Sequence, residues 1–404
     1  MTESHKSEYI GRLLLLVLIG VSAIGPVTMN GVLSANSAIM QEFSVDYAVV
    51  QAVVTVYLVA TFISQLILGP LADRIGRRPV MIGAMSIFVV GSVLCSLASS
   101  MEWLLVFRFV QGFGAAVCVL LPRTIVRDIY LVDKAASMIG YMTTAMMVAP
   151  LFGPFAGGWI TDNYSWRLMY AGLAFLGIVF VLLAYLFQYE TLADTNHAQS
   201  AAEVDVPFRR SIVELLKSRR FQGYMALQAG AVGGYFAFLA GAPYVAMENR
   251  GLSASQYGLW FMLVAIGYLI GNLIAGRFSV RVGAIGMIRI GLIPMVVGTL
   301  MFWVLSGWQH PAALFLPMNL VAISNGMSLP NLVSLAMSVR PELAASASGL
   351  TGSAQISCGV ALTLIVGIML PRADYWLYVV ISFSCLLAIA GFLIARSSPN
   401  ADPH

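Results

Sequence analysis

Charge is what this 404-residue chain has least of: Lys, Arg, Asp and Glu together make up 10% of it, against 59% hydrophobic residues. A soluble domain carries about 25% charged and 45–50% apolar residues. No water-soluble core hides this much apolar surface, so most of it must face lipid. Histidine and cysteine are scarce as well. His5, His197, His310 and His404 lie in loops and tails away from ligand spacing, and Cys95, Cys118, Cys358 and Cys385 lie singly in apolar runs. That leaves no expected metal site and no disulfide frame, only small buried hydrophobes. Enzymatic signatures are missing too: there is no GxSxG, HExxH, GxxxxGK[ST] or dinucleotide fingerprint after a strand. Neither an enzyme nor a cofactor is expected. The net charge of +4 sits in short loops rather than a stripe, which argues against nucleic acid as a partner.

What is present is length without charge. A bilayer core of about 30 Å needs roughly 20 apolar residues at 1.5 Å each. Such windows recur twelve times, at about 12–34, 47–70, 79–98, 102–124, 137–160, 166–187, 222–247, 257–278, 284–306, 312–337, 345–370 and 374–395. Each must be helical, because an open strand edge in hydrocarbon leaves backbone groups unpaired. The N-terminal MTESHKSEYIGR carries no cleavage pattern, and the run after it exceeds a signal-peptide core, so it reads as a retained first span. With the N-terminus cytoplasmic, eighteen basic residues fall on that side and only Arg167, Arg250 and Arg372 on the other. The positive-inside rule then puts both termini in the cytoplasm.

One long polar connection splits the chain into a six-helix bundle at 1–190, a linker at 191–221 and a second six-helix bundle at 222–404. Within the linker, RRSIVELLKSRRF alternates basic residues with Ile212, Val213, Leu215 and Leu216. That pattern suits an amphipathic helix on an anionic leaflet, or a solvated linker with a nascent helix. The halves echo each other: Gly69, Arg74 and Gly76 open the third span, and Gly276, Arg281 and Gly283 open the ninth with the same spacing. The expectation is an all-α membrane protein of twelve helices in two pseudo-symmetric bundles, a transporter built from parallel halves.

Arg108 is the sharpest single residue. It lies about 9 Å along its helix from Glu102, and a charge at such depth is by default functional. The alternative is that it snorkels to the surface. Gln111 lies one turn on and can face the same cavity. The eighteen acids, by contrast, all sit in loops, tails or span ends.

Four stretches in order carry a family resemblance. GPLADRIGRRPV (69–80) resembles the signature loop between spans two and three of the major facilitator superfamily. With the preceding span, YLVATFISQLILGPLADRIGRRP, it is similar to the drug-efflux branch that includes the bicyclomycin and chloramphenicol resistance transporters. RFVQGFGAA (108–116) resembles that branch's fourth-span motif and APLFGPFAGGWI (149–160) its fifth-span antiporter motif; SASQYGLWFMLVAIGYLIGNLIAGR (253–277) is similar in the eighth span.

The resemblance implies residue roles. Asp73 and Arg74, with Arg77 and Arg78, would latch the cytoplasmic side, with Asp128 as an acidic partner; the plainer reading is that the loop only enforces topology. Gly153, Pro154, Gly157 and Gly158 would form a hinge-like seam favouring antiport, or simply a close-packed one. Asn30, Tyr57, Arg108, Gln111, Met146, Gln228, Tyr235, Asn319 and Asn325 would line or flank the substrate cavity, each alternatively an ordinary interhelical contact. The family usually carries an Asp late in span one, where this chain has Asn30. Coupling then falls to Asp73 or Asp128, to a titrating substrate, or to nothing. The implied function is multidrug or small-amphiphile efflux from a bacterial inner membrane by alternating access with proton antiport. The implied partners are a small molecule, protons and lipid, for a monomer. The alternative is an uncoupled facilitator or a carrier of one metabolite or siderophore.

Overall fold

The structure is a computed structural model that describes residues 3–130, 138, 142, 146–191, 208–340 and 343–397. In chain order its helices are α1 (Glu3–Leu33), α2 (Asn36–Phe43), α3 (Tyr47–Ile75), α4 (Arg77–Ser96), α5 (Met101–Ile129), α6 (Val148–Asn163), α7 (Trp166–Phe187) and α8 (Phe208–Lys217). There follow α9 (Arg219–Pro243), α10 (Ala254–Val282), α11 (Ala284–Val304), α12 (Ala312–Ser338), α13 (Ala344–Met369) and α14 (Tyr375–Arg396). Among the described residues, eleven helical stretches are long and apolar enough to cross a bilayer. The fifth expected span is described mainly through α6; residues 131–137, 139–141 and 143–145 of that region lie outside the described residues.

The chain forms two compact units. One holds Met1–Glu203 with Ser253–Leu259, and the other Val204–Leu252 with Trp260–His404. Val21, Phe88, Leu104, Val117, Ile125 and Tyr170 are buried in the core of the first unit. Leu215, Phe221, Leu227, Leu332 and Ala388 are buried in that of the second. The other faces point outward: Ile293, Val297 and Leu300 make an exposed apolar stripe on α11, as do Leu182 and Leu186 on α7. Lipid-facing helices require such stripes, since hydrocarbon offers nothing to a polar side chain. The linker pattern resolves into α8, whose Leu215 is buried in the second unit's core while Val213 and Leu216 stay exposed.

Two boundaries differ from the sequence reading. GPLADRIGRRPV is not a loop: α3 runs on through Asp73 and Arg74 to Ile75, and the reversal takes a single residue, Gly76, at φ 109°. Gly283 between α10 and α11 repeats the device at φ 78°. Glycine alone occupies this region without strain. The fourth span also continues past residue 124 to Ile129, straight through Pro122. Proline deprives the carbonyl four residues back of its donor, yet Cys118, Leu121, Ile125 and Val126 are buried around it and hold the helix together.

The two turn glycines separate strain from crowding. A Cβ on Gly76 would run into the Glu190 carboxylate, whereas one on Gly283 meets nothing within 4 Å. Gly283→Ala is expected to cost about 1–3 kcal/mol of backbone strain, and Gly76→Ala more than that. Thermal unfolding of both variants in one detergent checks the order.

Candidate substrate and coupling site

The site builds from α5 outward. Arg108 is fully buried, so it does not snorkel. Its Nε donates to the Val53 carbonyl at 3.3 Å and its Nη1 to Gln111 Oε1. Gln111 Nε2 in turn donates to Ser92 Oγ at 2.8 Å, and Ser92 donates to the Phe88 carbonyl. The guanidinium carbon lies 4.5 Å from the Tyr57 ring centre and 5.7 Å from that of Tyr170. Tyr57 is fixed by donating its hydroxyl to the Gly25 carbonyl at 3.2 Å. Nη2 of Arg108 has no hydrogen-bond partner among the described residues. The charge is therefore held by ring faces and dipoles, with one donor left open. A buried cation in this state is costly unless something completes it.

Asn30 sits nearby in sequence logic but not in chemistry. Its Nδ2 donates to the Pro26 carbonyl at 2.8 Å, and its buried Oδ1 is unpartnered among the described residues. The glycine motif of α6 packs onto this part of α1. Ser34 Oγ donates to the Pro154 carbonyl at 2.6 Å, and a Cβ on Gly157 would strike the Gly31 carbonyl. Gly153 lies against Asn30 itself, with 3.4 Å between a Cβ built there and Asn30 Cβ. Gly158 faces away, against Ala254 in the first turn of α10. There Asp162 accepts from the backbone N–H groups of Ala254 at 3.1 Å and Ser255 at 2.8 Å.

In the second unit, Gln228 Nε2 donates to Gln355 Oε1 at 2.9 Å, and Asn325 Nδ2 donates to the Ala231 carbonyl at 3.0 Å. Both residues thus meet on one short stretch of α9. The Oε1 of Gln228 and Oδ1 of Asn325 are buried without a partner. Asn319 is spent elsewhere, donating to the Leu263 carbonyl where α12 meets α10. Tyr235 is half-buried with its ring 6.3 Å from that of Phe236.

The charged turn is organised differently from the sequence expectation. The side chain of Asp73 lies outside the described residues, and Arg74 is exposed. The partner of Asp128 is Arg77, whose Nε lies 3.1 Å away with both side chains nearly buried. Thr191 Oγ1 donates to the same carboxylate at 3.2 Å. Glu190 accepts from the backbone N–H of Arg77 at 2.8 Å and of Arg78 at 3.1 Å, so an anion caps the start of α4. Arg78 donates to the Tyr185 carbonyl at 2.8 Å. Glu190 and Thr191 escaped the sequence reading, although the orientation rule already places residues 76, 128 and 190 at one membrane surface. Arg123 reads in the sequence only as one of the basic residues on the cytoplasmic side. It is half-buried inside α5, donates to Met146 Sδ at 3.7 Å, and its Nε has no partner among the described residues.

Two units of lipid-facing helices, one of them holding a buried cation inside a spanning helix, define a multi-pass membrane transport protein. The chain belongs to the Major Facilitator Superfamily, whose pattern matches residues 16–356. It is 31% identical to an uncharacterized transporter of this type, YdgK of Bacillus subtilis, over 88% of this chain and 89% of that one. It is 26% identical to a bicyclomycin resistance protein homologue of Haemophilus influenzae over 90% of each chain. Its fold matches a solved bacterial homologue of the human lysosomal transporter Spinster with a TM-score of 0.75 at 17% identity, each chain fully covered. The twelve-helix membrane fold and the resemblance to the drug-resistance branch both hold.

Two outcomes follow for the ionic contacts. Breaking a buried pair on one side strands a charge and costs about 3–5 kcal/mol, so Asp128→Asn is expected to destabilise strongly. Arg77→Gln with Asp128→Asn should cost less than the sum of the two, which a double-mutant cycle in detergent measures. Burial pushes the Asp162 carboxyl up, but hydrogen bonds from Ser255, Ser253 and Ala254 outweigh it and hold it below the ordinary 3.8. A depressed acid stabilises only while ionised, so this contribution is full at neutral pH and lost as pH falls below about 4. Protection of the Ala254 and Ser255 amides against hydrogen exchange should drop over that range. In Asp162→Asn it should be low throughout.

Proposed function

We propose that this chain exports small amphipathic compounds from the bacterial cytoplasm by alternating access, driven by proton antiport. It acts as a monomer in the inner membrane with both termini cytoplasmic, and it carries out no chemistry on its cargo. The observation that carries this reading is Arg108: a fully buried guanidinium whose Nη2 has no partner among the described residues and which lies against the rings of Tyr57 and Tyr170 and the amide of Gln111. An anionic or zwitterionic cargo supplies the missing acceptor. The glycine seam of α6 against α1 and the kinship to a bicyclomycin resistance homologue support export of drug-like molecules.

Proton coupling needs a titrating group, and Asn30 offers none. Asp128 is the residue to which the geometry leads. It is nearly buried, ion-paired with Arg77, and joined through Thr191 and Glu190 to the turn that opens α4. The Arg77–Asp128 pair ties the end of α5 to the start of α4. Breaking that pair alters the turn that pivots on Gly76.

Inside-out vesicles with an imposed pH gradient test this across anionic, zwitterionic, neutral and cationic amphiphiles. Gradient-dependent accumulation should favour the anions and zwitterions. A charge-assisted hydrogen bond contributes about 1.5–3 kcal/mol, so Arg108→Ala should weaken their apparent affinity by roughly tenfold or more. Asp128→Asn should abolish the gradient dependence and leave counterflow. Equal movement with and without the gradient would make the protein an uncoupled facilitator instead.

A further inference from the structure

A second cationic feature lies at one end of the second unit. The starts of α9 and α11 and the end of α14 enclose a cleft of about 280 Å³, lined by Arg220 and Tyr224, by Ile285 and Ile288, and by Phe392 and Arg396. Drug-sized ligands occupy pockets of about 300–1,000 Å³, so this one suits a smaller group. Its chemistry is split by depth. The floor is apolar, from the buried Ile288 and Phe392. The rim is cationic: Arg220 Nε donates to the Tyr224 hydroxyl at 3.0 Å, with the guanidinium 5.8 Å from that ring centre, and Arg396 closes the other side. Two helix N-termini add positive potential at the same place. No carboxylate lines it.

The surface continues the pattern toward lipid. Leu393 and Ile394 beside Arg396 are exposed, and so are Val282 and Ile285 at the junction of α10 and α11. A cargo molecule needs no such lipid-facing flank. A phospholipid does, because its phosphate meets the arginines while its chains follow the outer helix faces.

The geometry points to a binding site for an anionic phospholipid of the leaflet that the end of α14 enters, the phosphate lying between Arg220 and Arg396. That this leaflet is cytoplasmic rests on the orientation proposed above. Basic pockets between spanning helices at that surface recognise acidic headgroups. Lysine in place of either arginine keeps the charge, so charge and fold can be separated.

The test uses the full chain, stripped of lipid and titrated with phosphatidylglycerol or phosphatidylethanolamine, with bound lipid read by native mass spectrometry. It reads lipid binding alone, so its failure leaves the transport reading standing. Wild type should retain phosphatidylglycerol over phosphatidylethanolamine. Each arginine lost should weaken that binding about fivefold, and R220Q/R396Q roughly 25-fold. R220K/R396K should bind nearly as wild type. Arg289 is exposed one turn beyond Ile285 but does not line the cleft, so R289Q should bind unchanged. If R220Q/R396Q does not fold, R396Q alone at the exposed helix end carries the fivefold expectation. Unchanged binding in R220Q/R396Q or R396Q, or an equal loss in R289Q, would overturn the site. Full displacement by millimolar inorganic phosphate would make it a free-anion site, which also overturns the lipid assignment.

Discussion

Hydrocarbon gives a side chain or a peptide group nothing to hydrogen-bond, and the structure follows from that constraint. Each spanning segment closes its own backbone ladder as a helix, and each polar side chain inside a unit must find a partner there. Hydrophobicity cannot hold such helices together, since lipid is as apolar as leucine. Close approach replaces it. Ser34 reaches the Pro154 carbonyl only because Gly153 and Gly157 let α6 lie directly on α1. Under this constraint a donor left over, as at Arg108 Nη2 among the described residues, is costly.

The same constraint sorts the charges. Arg77 and Asp128 are nearly buried and pair with each other, and Glu190 neutralises the start of α4. These groups satisfy one another. Arg108 has no such acid among the described residues. Rings and an amide relay spread its charge, and its open donor is aimed at nothing the chain supplies among the described residues.

Much of this was legible in the residues. Span positions follow from hydropathy because helices in lipid admit no other solution. Gly76 and Gly283 stood out as matched repeats, and both proved to be the positive-φ turns. Arg108 with Gln111 was readable from helical spacing. Other features depend on tertiary contact and leave no local trace. The apolar window of the fourth span ends near residue 124, yet burial of the residues around Pro122 carries α5 on to Ile129. Asp128 was visible as an acid, but nothing in sequence distance says that it takes Arg77 rather than Asp73's neighbour Arg74. Glu190 lies 114 positions after Gly76 in sequence and against it in space. Asn319 is among the residues named for the cavity, and its hydrogen bond to the Leu263 carbonyl has no trace in the sequence.

The central claim is that Arg108 is an unsatisfied cation poised for cargo. Equilibrium binding by calorimetry tests it without any need for turnover, using one amphiphilic scaffold made with an anionic or a cationic headgroup. The account predicts that the anionic form binds the wild type at least tenfold tighter than Arg108→Gln, while the cationic form binds both weakly. Cationic binding as tight as anionic, with no change on losing the guanidinium, would contradict it.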